Sequence, residues 1–169
     1  DLWTAGPGGR LCELCAPSCA PSCAPSCAPS RAPHPDCDTR ALTIALLRGA
    51  FEFQGQKCSA ASRAYIPESV WAEIKDEYCE EVSKIRMGDP RDFSNFMSAV
   101  IDRKSFDNIT GYIDRASEDP GCEIVTGGGY DDKTGYFIEP TTIVCKDSRY
   151  ETMAEEIFGP VLSIHVYPD

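Results

Sequence analysis

The chain has 169 residues, 16 Lys plus Arg against 27 Asp plus Glu, and a formal net charge of −11. That length suits one domain, or one domain with a tail, and 42% hydrophobic residues permit a core. The acidic balance argues against a broad nucleic-acid footprint or an anionic membrane surface, which both need Lys and Arg, and no apolar run approaches the ~20 residues that span a bilayer.

Residues 1–38 differ from everything after them. Cys15-Ala16-Pro17-Ser18 recurs at Cys19, Cys23 and Cys27. A proline every fourth residue removes backbone donors and blocks a helix. Almost no large apolar side chain is present to bury, so the segment is predicted to be a disordered low-complexity leader. Cys12-Glu13-Leu14-Cys15 is a C-x-x-C, and His34 and Cys37 follow; zinc sites use such pairs. The later thiols come at a period of four with no second C-x-x-C, so no metal site is assigned. The segment also lacks the charged and apolar regions of a secretory signal. Six of the ten cysteines (Cys12, Cys15, Cys19, Cys23, Cys27 and Cys37) fall before residue 38. The body, with Cys58, Cys79, Cys122 and Cys145, has the sparse usage of an intracellular protein rather than a disulfide scaffold. The first residue is Asp1 rather than Met and Asp169 follows a strand-like run directly, so the chain is expected to be a piece of a longer one.

Residues 39–169 read as a globular unit. Leu42, Ala45, Leu46, Gly49, Ala50 and Phe53 predict a helix over 40–53, capped by Gly55. Residues 63–67 predict a short strand stopped by Pro67. Trp71, Ile74, Tyr78, Val82 and Ile85 predict an amphipathic helix over 68–85, with Cys79 half-buried beside its core stripe. Residues 87–90 are a turn, and 92–97 a loop with two aromatic anchors. Phe106, Ile109, Ile113 and Ala116 predict a helix over 102–118, stopped by Pro120-Gly121. Residues 122–126 are a strand candidate. Gly127-Gly128-Gly129 lacks the Lys-Ser/Thr of a phosphate loop and the spaced glycines of a dinucleotide fingerprint, so it reads as a flexible connector. Residues 135–144 predict a strand interrupted by Pro140, hence near a sheet edge or bulge. Residues 153–158 predict a short helical turn. Residues 161–167 predict a buried strand in which His165 packs rather than ligates. Strands separated by helices predict an α/β layer with a largely parallel sheet.

Two stretches carry chemistry. Cys58, in Gly55-Gln56-Lys57-Cys58-Ser59-Ala60, sits on a turn between helix and strand, where a thiol can be presented to a pocket. A lone cysteine is more often buried and inert. Glu155-Glu156-Ile157-Phe158-Gly159-Pro160 lies about a hundred residues on, and alone Glu156 would read as a solvated acid in a helix cap. Together, in this order and separation, the two stretches resemble the aldehyde dehydrogenase superfamily: the first its catalytic-cysteine loop, the second its cofactor-contacting motif. Gly135 to Thr141 resembles the segment just before that motif. The likeness covers about 41–169, and residues 1–38 match nothing in it. Residues 93–106, with Ser98 to Asp102 and Lys104-Ser105-Phe106, resemble the branch that oxidises glutamate semialdehyde, the pyrroline-carboxylate dehydrogenases. So do Gln56 to Ala60 and Val161 to Asp169.

The resemblance implies a partial catalytic domain that uses NAD on a small aldehyde, in a homo-oligomeric parent of the mitochondrial matrix. Cys58 is then the nucleophile, and its backbone N–H a donor to the developing oxyanion. An unperturbed thiol of pKa about 8.5 is only about a tenth ionised near pH 7.5, so the site must assist it. Glu156 is implied to accept from the nicotinamide ribose hydroxyls and Phe158 to bound the nicotinamide ring, with Gly159-Pro160 fixing the turn. Ser59 is implied to help bind the substrate carboxylate, while Lys57 reads as solvated. The family's general-base Glu, oxyanion Asn, main dinucleotide sheet, anchoring loop and oligomerising strand have no match here, so the chain alone is expected to bind NAD poorly and not to turn over. Two alternatives stay open: a non-catalytic structural or interaction module with a Cys-rich metal-binding arm, and another branch of the superfamily.

Overall fold

The period-2 and period-3.6 runs fold into one five-stranded sheet with helices on both faces. This computed structural model describes residues 30–31, 33–34 and 36–169. The Cys15-to-Cys27 repeat, with the disorder predicted for it and the C-x-x-C pair before it, lies outside the described residues. The strands are β1 (Ser30–Arg31), β2 (Arg63–Pro67), β3 (Cys122–Thr126), β4 (Tyr130–Asp131), β5 (Phe137–Ile138), β6 (Thr141–Cys145) and β7 (Val161–Tyr167). The helices are α1 (Thr39–Phe51), α2 (Glu68–Ser83), α3 (Arg103–Glu118) and α4 (Glu151–Ala154). Strand order is β1-β2-β7-β6-β3. β1, β2, β7 and β6 run parallel to their neighbours, and β3 joins β6 antiparallel. The largely parallel α/β sheet expected from the sequence is therefore what forms. β4 and β5 make a separate antiparallel ribbon.

Strand register decides what each face buries. Ala64 pairs with Ile164 and Arg63 with Ser163, so alternate residues of β2 and β7 point to opposite faces. On one face Ala64, Ile66, Leu162 and Ile164 pack with Leu42, Leu46 and Ala50 of α1 and Ile74, Tyr78 and Val82 of α2. These helix positions recur at four-residue steps, the stripe a helix needs to cover a sheet. On the other face Ile143, Cys145 and Val161 pack with Phe106, Ile109, Ile113 and Ala116 of α3. Burying each large aliphatic side chain contributes about 1.5–3 kcal/mol. Two of the three long helices, α1 and α3, start on an aspartate: Asp38 Oδ1 accepts from Ala41 N–H at 3.0 Å, and Asp102 Oδ1 from Ser105 N–H at 2.7 Å. The one buried tyrosine hydroxyl of the first cluster, on Tyr78, lies 2.8 Å from Thr142 Oγ1, and burial pushes its phenol well above the usual range.

Several local expectations are corrected. Within the segment read as leader, Ser30–Arg31 pairs with β2. β6 is interior, between β7 and β3; Pro140 precedes the strand, where its missing N–H costs no ladder bond. The irregular register falls instead on β3, between Ile124 and Thr126. The triple glycine is not a loose connector. Gly127 has φ +76, and a Cβ there would stand 2.2 Å from the Pro140 carbonyl oxygen, so the chain passes through a crossing that a side chain would block. Gly128 N–H then donates to Thr141 Oγ1 at 3.0 Å and Gly129 N–H to Glu139 Oε2 at 3.1 Å. Phe93 is 97% exposed and Phe96 38%, so neither anchors its loop; Asp89 and Asp92 hold it through bonds to the backbone N–H groups of Arg91 and Ser94. Residues 155–158 are not helical, since α4 stops at Ala154 and Glu155 is already extended.

Candidate active site

α1 ends at Phe51, two residues before the predicted end, because the backbone reverses there. Phe53, Gln54 and Gly55 take φ of 53°, 60° and 65°. The left-handed region costs a non-glycine residue about 1–2 kcal/mol, so something must hold Phe53 and Gln54. Gln54 Nε2 donates to Ala99 O, and Ser98 N–H donates to Gln54 Oε1, each at 3.2 Å. The Lys57 ammonium sits 5.5 Å from the Phe53 ring centroid. Gly55 therefore does not cap the helix; it closes a tight turn that feeds the Cys58 loop. Ala61 N–H donates to Gly49 O at 2.8 Å and Ala60 N–H to Lys57 O at 3.1 Å, which tie the far side of that loop to α1 and to itself.

Lys57 is neither solvated nor aimed at the thiol. Its Nζ lies 2.8 Å from Glu52 Oε2, with both side chains about a third exposed. The Lys57 hydrogen bond, with Arg48 adding to it, holds the Glu52 carboxyl below its ordinary value. A lowered folded-state pKa means stability present above the unfolded value and lost as pH falls through the folded one. Glu52→Gln should therefore lower the urea midpoint at pH 7 by the equivalent of about 0.5 kcal/mol, a partly exposed pair being screened. That difference should shrink as pH falls below the ordinary carboxylate range and vanish once the wild-type carboxyl is protonated, below its lowered folded-state value. A deficit that persists after that titration is complete would mean that shape, not charge, is what Glu52 contributes.

The second stretch is positioned by α3 and α4. Arg115 donates to both carboxylate oxygens of Glu151, at 2.7 and 3.1 Å, and its guanidinium lies 4.6 Å from the Tyr112 ring centroid. Tyr112 OH donates to Glu155 Oε2, and that bond pushes the phenol up to about 12. One of the two adjacent glutamates is thus engaged in holding the segment to α3. Glu156 makes no side-chain hydrogen bond or ion pair among the described residues, and it is exposed. Ile157 is buried and Phe158 turns to φ +56 with 44% of its surface exposed. A bulky residue in the left-handed region, pointing an apolar ring at solvent, is a strained feature of the kind that clusters at ligand sites.

The two stretches meet. A Cβ on Gly55 would lie 2.3 Å from Gly159 O, so their backbones are in direct contact. Gln56 Nε2 donates to Phe158 O at 3.2 Å across 102 residues of sequence. Gly55, Lys57, Ala61, Ser62, Glu156 and Phe158 line one shallow cleft. Cys58 and Ser59 are exposed on the same turn but do not themselves line that cleft. The loop that carries Cys58 and the segment that carries Glu156 and Phe158 thus meet through Gly55 and Gln56, at the C-terminal side of α1 and the start of β7. The sequence reading missed Gln54, Gln56 and Ser105, which hold the loop. A polar residue beside a glycine carries no signal of its bonding partners until those partners are placed. His165 packs as expected, its Nδ1 3.0 Å from Cys145 O and its ring edge-on to Tyr65.

A family model for the aldehyde dehydrogenase family matches residues 34–169. The chain belongs to that family. It is 54% identical over 136 residues to the mitochondrial delta-1-pyrroline-5-carboxylate dehydrogenase of Dictyostelium discoideum, covering 80% of this chain and 24% of that protein. It is 50% identical over 137 residues to the Homo sapiens protein of the same name, covering 80% and 24%. The delta-pyrroline-5-carboxylate dehydrogenase of Mycobacterium tuberculosis, solved bound with NAD, superimposes with a TM-score of 0.74 at 43% identity, over 82% of this chain and 24% of that one. The chain therefore spans about a quarter of the length of the relatives it matches. What it holds is a partial aldehyde dehydrogenase domain that contains the Cys58 loop and the Glu156–Phe158 segment.

Proposed function

We propose that the chain supplies the nucleophile and the nicotinamide-facing surface of an NAD-dependent dehydrogenase that oxidises L-glutamate γ-semialdehyde to L-glutamate. The observation that carries this reading is the backbone contact between Gly55 and Gly159. It places the Cys58 loop against a segment whose free carboxylate and exposed ring suit a nucleotide cofactor. The names of its relatives support the substrate and the mitochondrial location.

Cys58 attacks the aldehyde carbon through its sulfur as a thiolate, giving a thiohemiacetal to whose oxyanion the Cys58 backbone N–H donates. Removing one such donor typically costs about a hundredfold or more in rate. Glu156 fits a ribose diol: an ionised carboxylate accepts from both hydroxyls, and Glu155 cannot compete because Tyr112 holds it. Phe158 offers its ring as a wall. NAD, held by these two residues, supplies the two-electron acceptor for hydride. Loss of hydride leaves a thioester on Cys58, which water hydrolyses to free the thiol. Ser59, exposed beside the nucleophile, offers its hydroxyl to the substrate carboxylate.

Because the chain is a quarter of its relatives' length, the test grafts residues 34–169 in place of the matching segment of the Homo sapiens relative and follows NADH formation from glutamate semialdehyde. Cys58→Ala should lower turnover by about six orders of magnitude, the scale seen when a nucleophile is removed, with NAD binding kept. Turnover within tenfold of the unsubstituted graft would remove Cys58 from the chemistry.

A further inference from the structure

We infer that Gln56 is the positioning residue that locks the Cys58 loop to the Phe158 segment, so that thiol and ring keep one relative geometry; this rests on the reading of Cys58 and Phe158 above. The Gln56 carboxamide is fully used. Its Oε1 accepts from Ile101 N–H at 3.0 Å, and its Nε2 donates to Ser105 Oγ at 2.9 Å and to Phe158 O at 3.2 Å. A primary amide has two N–H donors, and each has its own acceptor here. The three partners come from three places: the linker before α3, the first turn of α3, and the segment before β7. Gln54 repeats the first of these attachments at Ser98 and Ala99, but it reaches nothing on the Phe158 side. Gln56 is thus the side chain that joins all three, two residues from Cys58.

The geometry at Phe158 depends on that bond. With φ at +56 the Phe158 carbonyl turns toward Gln56 and the ring toward solvent. Without a donor the peptide is free to relax toward the right-handed or extended regions that bulky residues prefer. The ring would then leave its place against the cleft while Cys58 stayed chemically intact. Hydride transfer is sensitive to such displacement, since misplacing reacting groups by about 1 Å costs about a hundredfold.

Two variants separate the bonds. Gln56→Met keeps the length and removes all three. Gln56→Glu, ionised at pH 7.5, keeps the acceptor for Ile101 N–H, loses both donors and sets a carboxylate against the Phe158 carbonyl. In the 169-residue chain, amide hydrogen exchange at Ile101 should speed up about tenfold in Gln56→Met and stay within about twofold in Gln56→Glu. Gly159 should exchange faster in both. Alkylation of Cys58 by iodoacetamide should remain within about threefold of wild type in both, because the thiol itself is untouched. In the graft described above, kcat should fall about tenfold or more in both variants while KM for the aldehyde stays within about twofold. If Gln56→Met fails to fold, Gln56→Glu alone decides, through Gly159 exchange and kcat. Unchanged exchange at Ile101 and Gly159, or unchanged kcat in the face of lost turnover in Cys58→Ala, overturns the inference and leaves the proposed function standing. Turnover kept in Cys58→Ala, or absent from the unsubstituted graft, overturns the proposed function instead, and the exchange measurements then decide whether Gln56 clamps the loop.

Discussion

Gly55→Ala is expected to destabilise the chain by about 2–5 kcal/mol and to detach the Cys58 loop from the segment before β7. Two independent costs add. The φ of +65 puts an L side chain in the left-handed region, at about 1–2 kcal/mol. The added methyl would also stand 2.3 Å from Gly159 O and 2.7 Å from Ala50 O. Both are backbone atoms of packed elements, so neither can swing aside as the end of a side chain could. Relief requires separating the two stretches, which exposes the contact that builds the cleft. Overpacking of this kind costs about 1–3 kcal/mol and sometimes more. Gly111→Ala is the matched control. It lies inside α3 without positive φ, and the added methyl meets the flexible Arg115 Nη1 at 3.2 Å. In a helix interior alanine is favoured over glycine by about 0.5–1 kcal/mol. Urea midpoints of the two variants should therefore move in opposite directions from wild type. A Gly55→Ala chain as stable as wild type would show that the two stretches are not in backbone contact in solution.

Arg63→Met is expected to raise stability, by about 1–4 kcal/mol. Arg63 is 8% exposed, and its Nε and Nη2 have no hydrogen-bond partner among the described residues. Ser163 lies opposite it in the β2–β7 register, and its buried hydroxyl is likewise unpartnered. A guanidinium held out of water without an anion carries a desolvation penalty of several kcal/mol. Replacing buried ionic groups by apolar ones of similar volume is often stabilising by about 1–4 kcal/mol even when the ions were paired. Methionine fits here because it is unbranched and fills irregular space. The gain should appear as a higher urea midpoint with unchanged slope in the 169-residue chain. Loss of stability would show that the guanidinium has an anionic partner, from this chain or from another.

Much of the architecture was readable before any coordinates. α2 is predicted at 68–85 and found at Glu68–Ser83; α3 is predicted at 102–118 and found at Arg103–Glu118. Both carry a stripe at helical period that must be buried somewhere, and periodicity depends only on the order of side chains. β7 was legible for a similar reason: a run of apolar and β-branched residues with no acid or base ahead of His165 suits burial on both faces. What failed was local and of one kind. The α1 end, the triple glycine, the segment after α4 and the exposure of Phe93 all depend on what lies across from them. Gly127 is needed because the Pro140 carbonyl crosses there, and a triplet of glycines looks the same whether or not anything crosses it.

The site divides along the same line. Cys58, Glu156 and Phe158 were marked by the resemblance of their two stretches to the aldehyde dehydrogenase superfamily, since taken alone the thiol reads as inert and the carboxylate as a solvated acid. The sequence could not say which of two adjacent glutamates is available. That was decided when α3 brought Tyr112 to Glu155. Nor could it say what holds a strained turn, which required Ser98, Ile101 and Ser105 to arrive beside Gln54 and Gln56. Sequence order determines the period of each element and the chemistry each residue can offer. Contacts between residues a hundred positions apart decide which of those residues are occupied with structure and which remain exposed to a ligand, because a hydrogen bond exists only once both of its ends share a place.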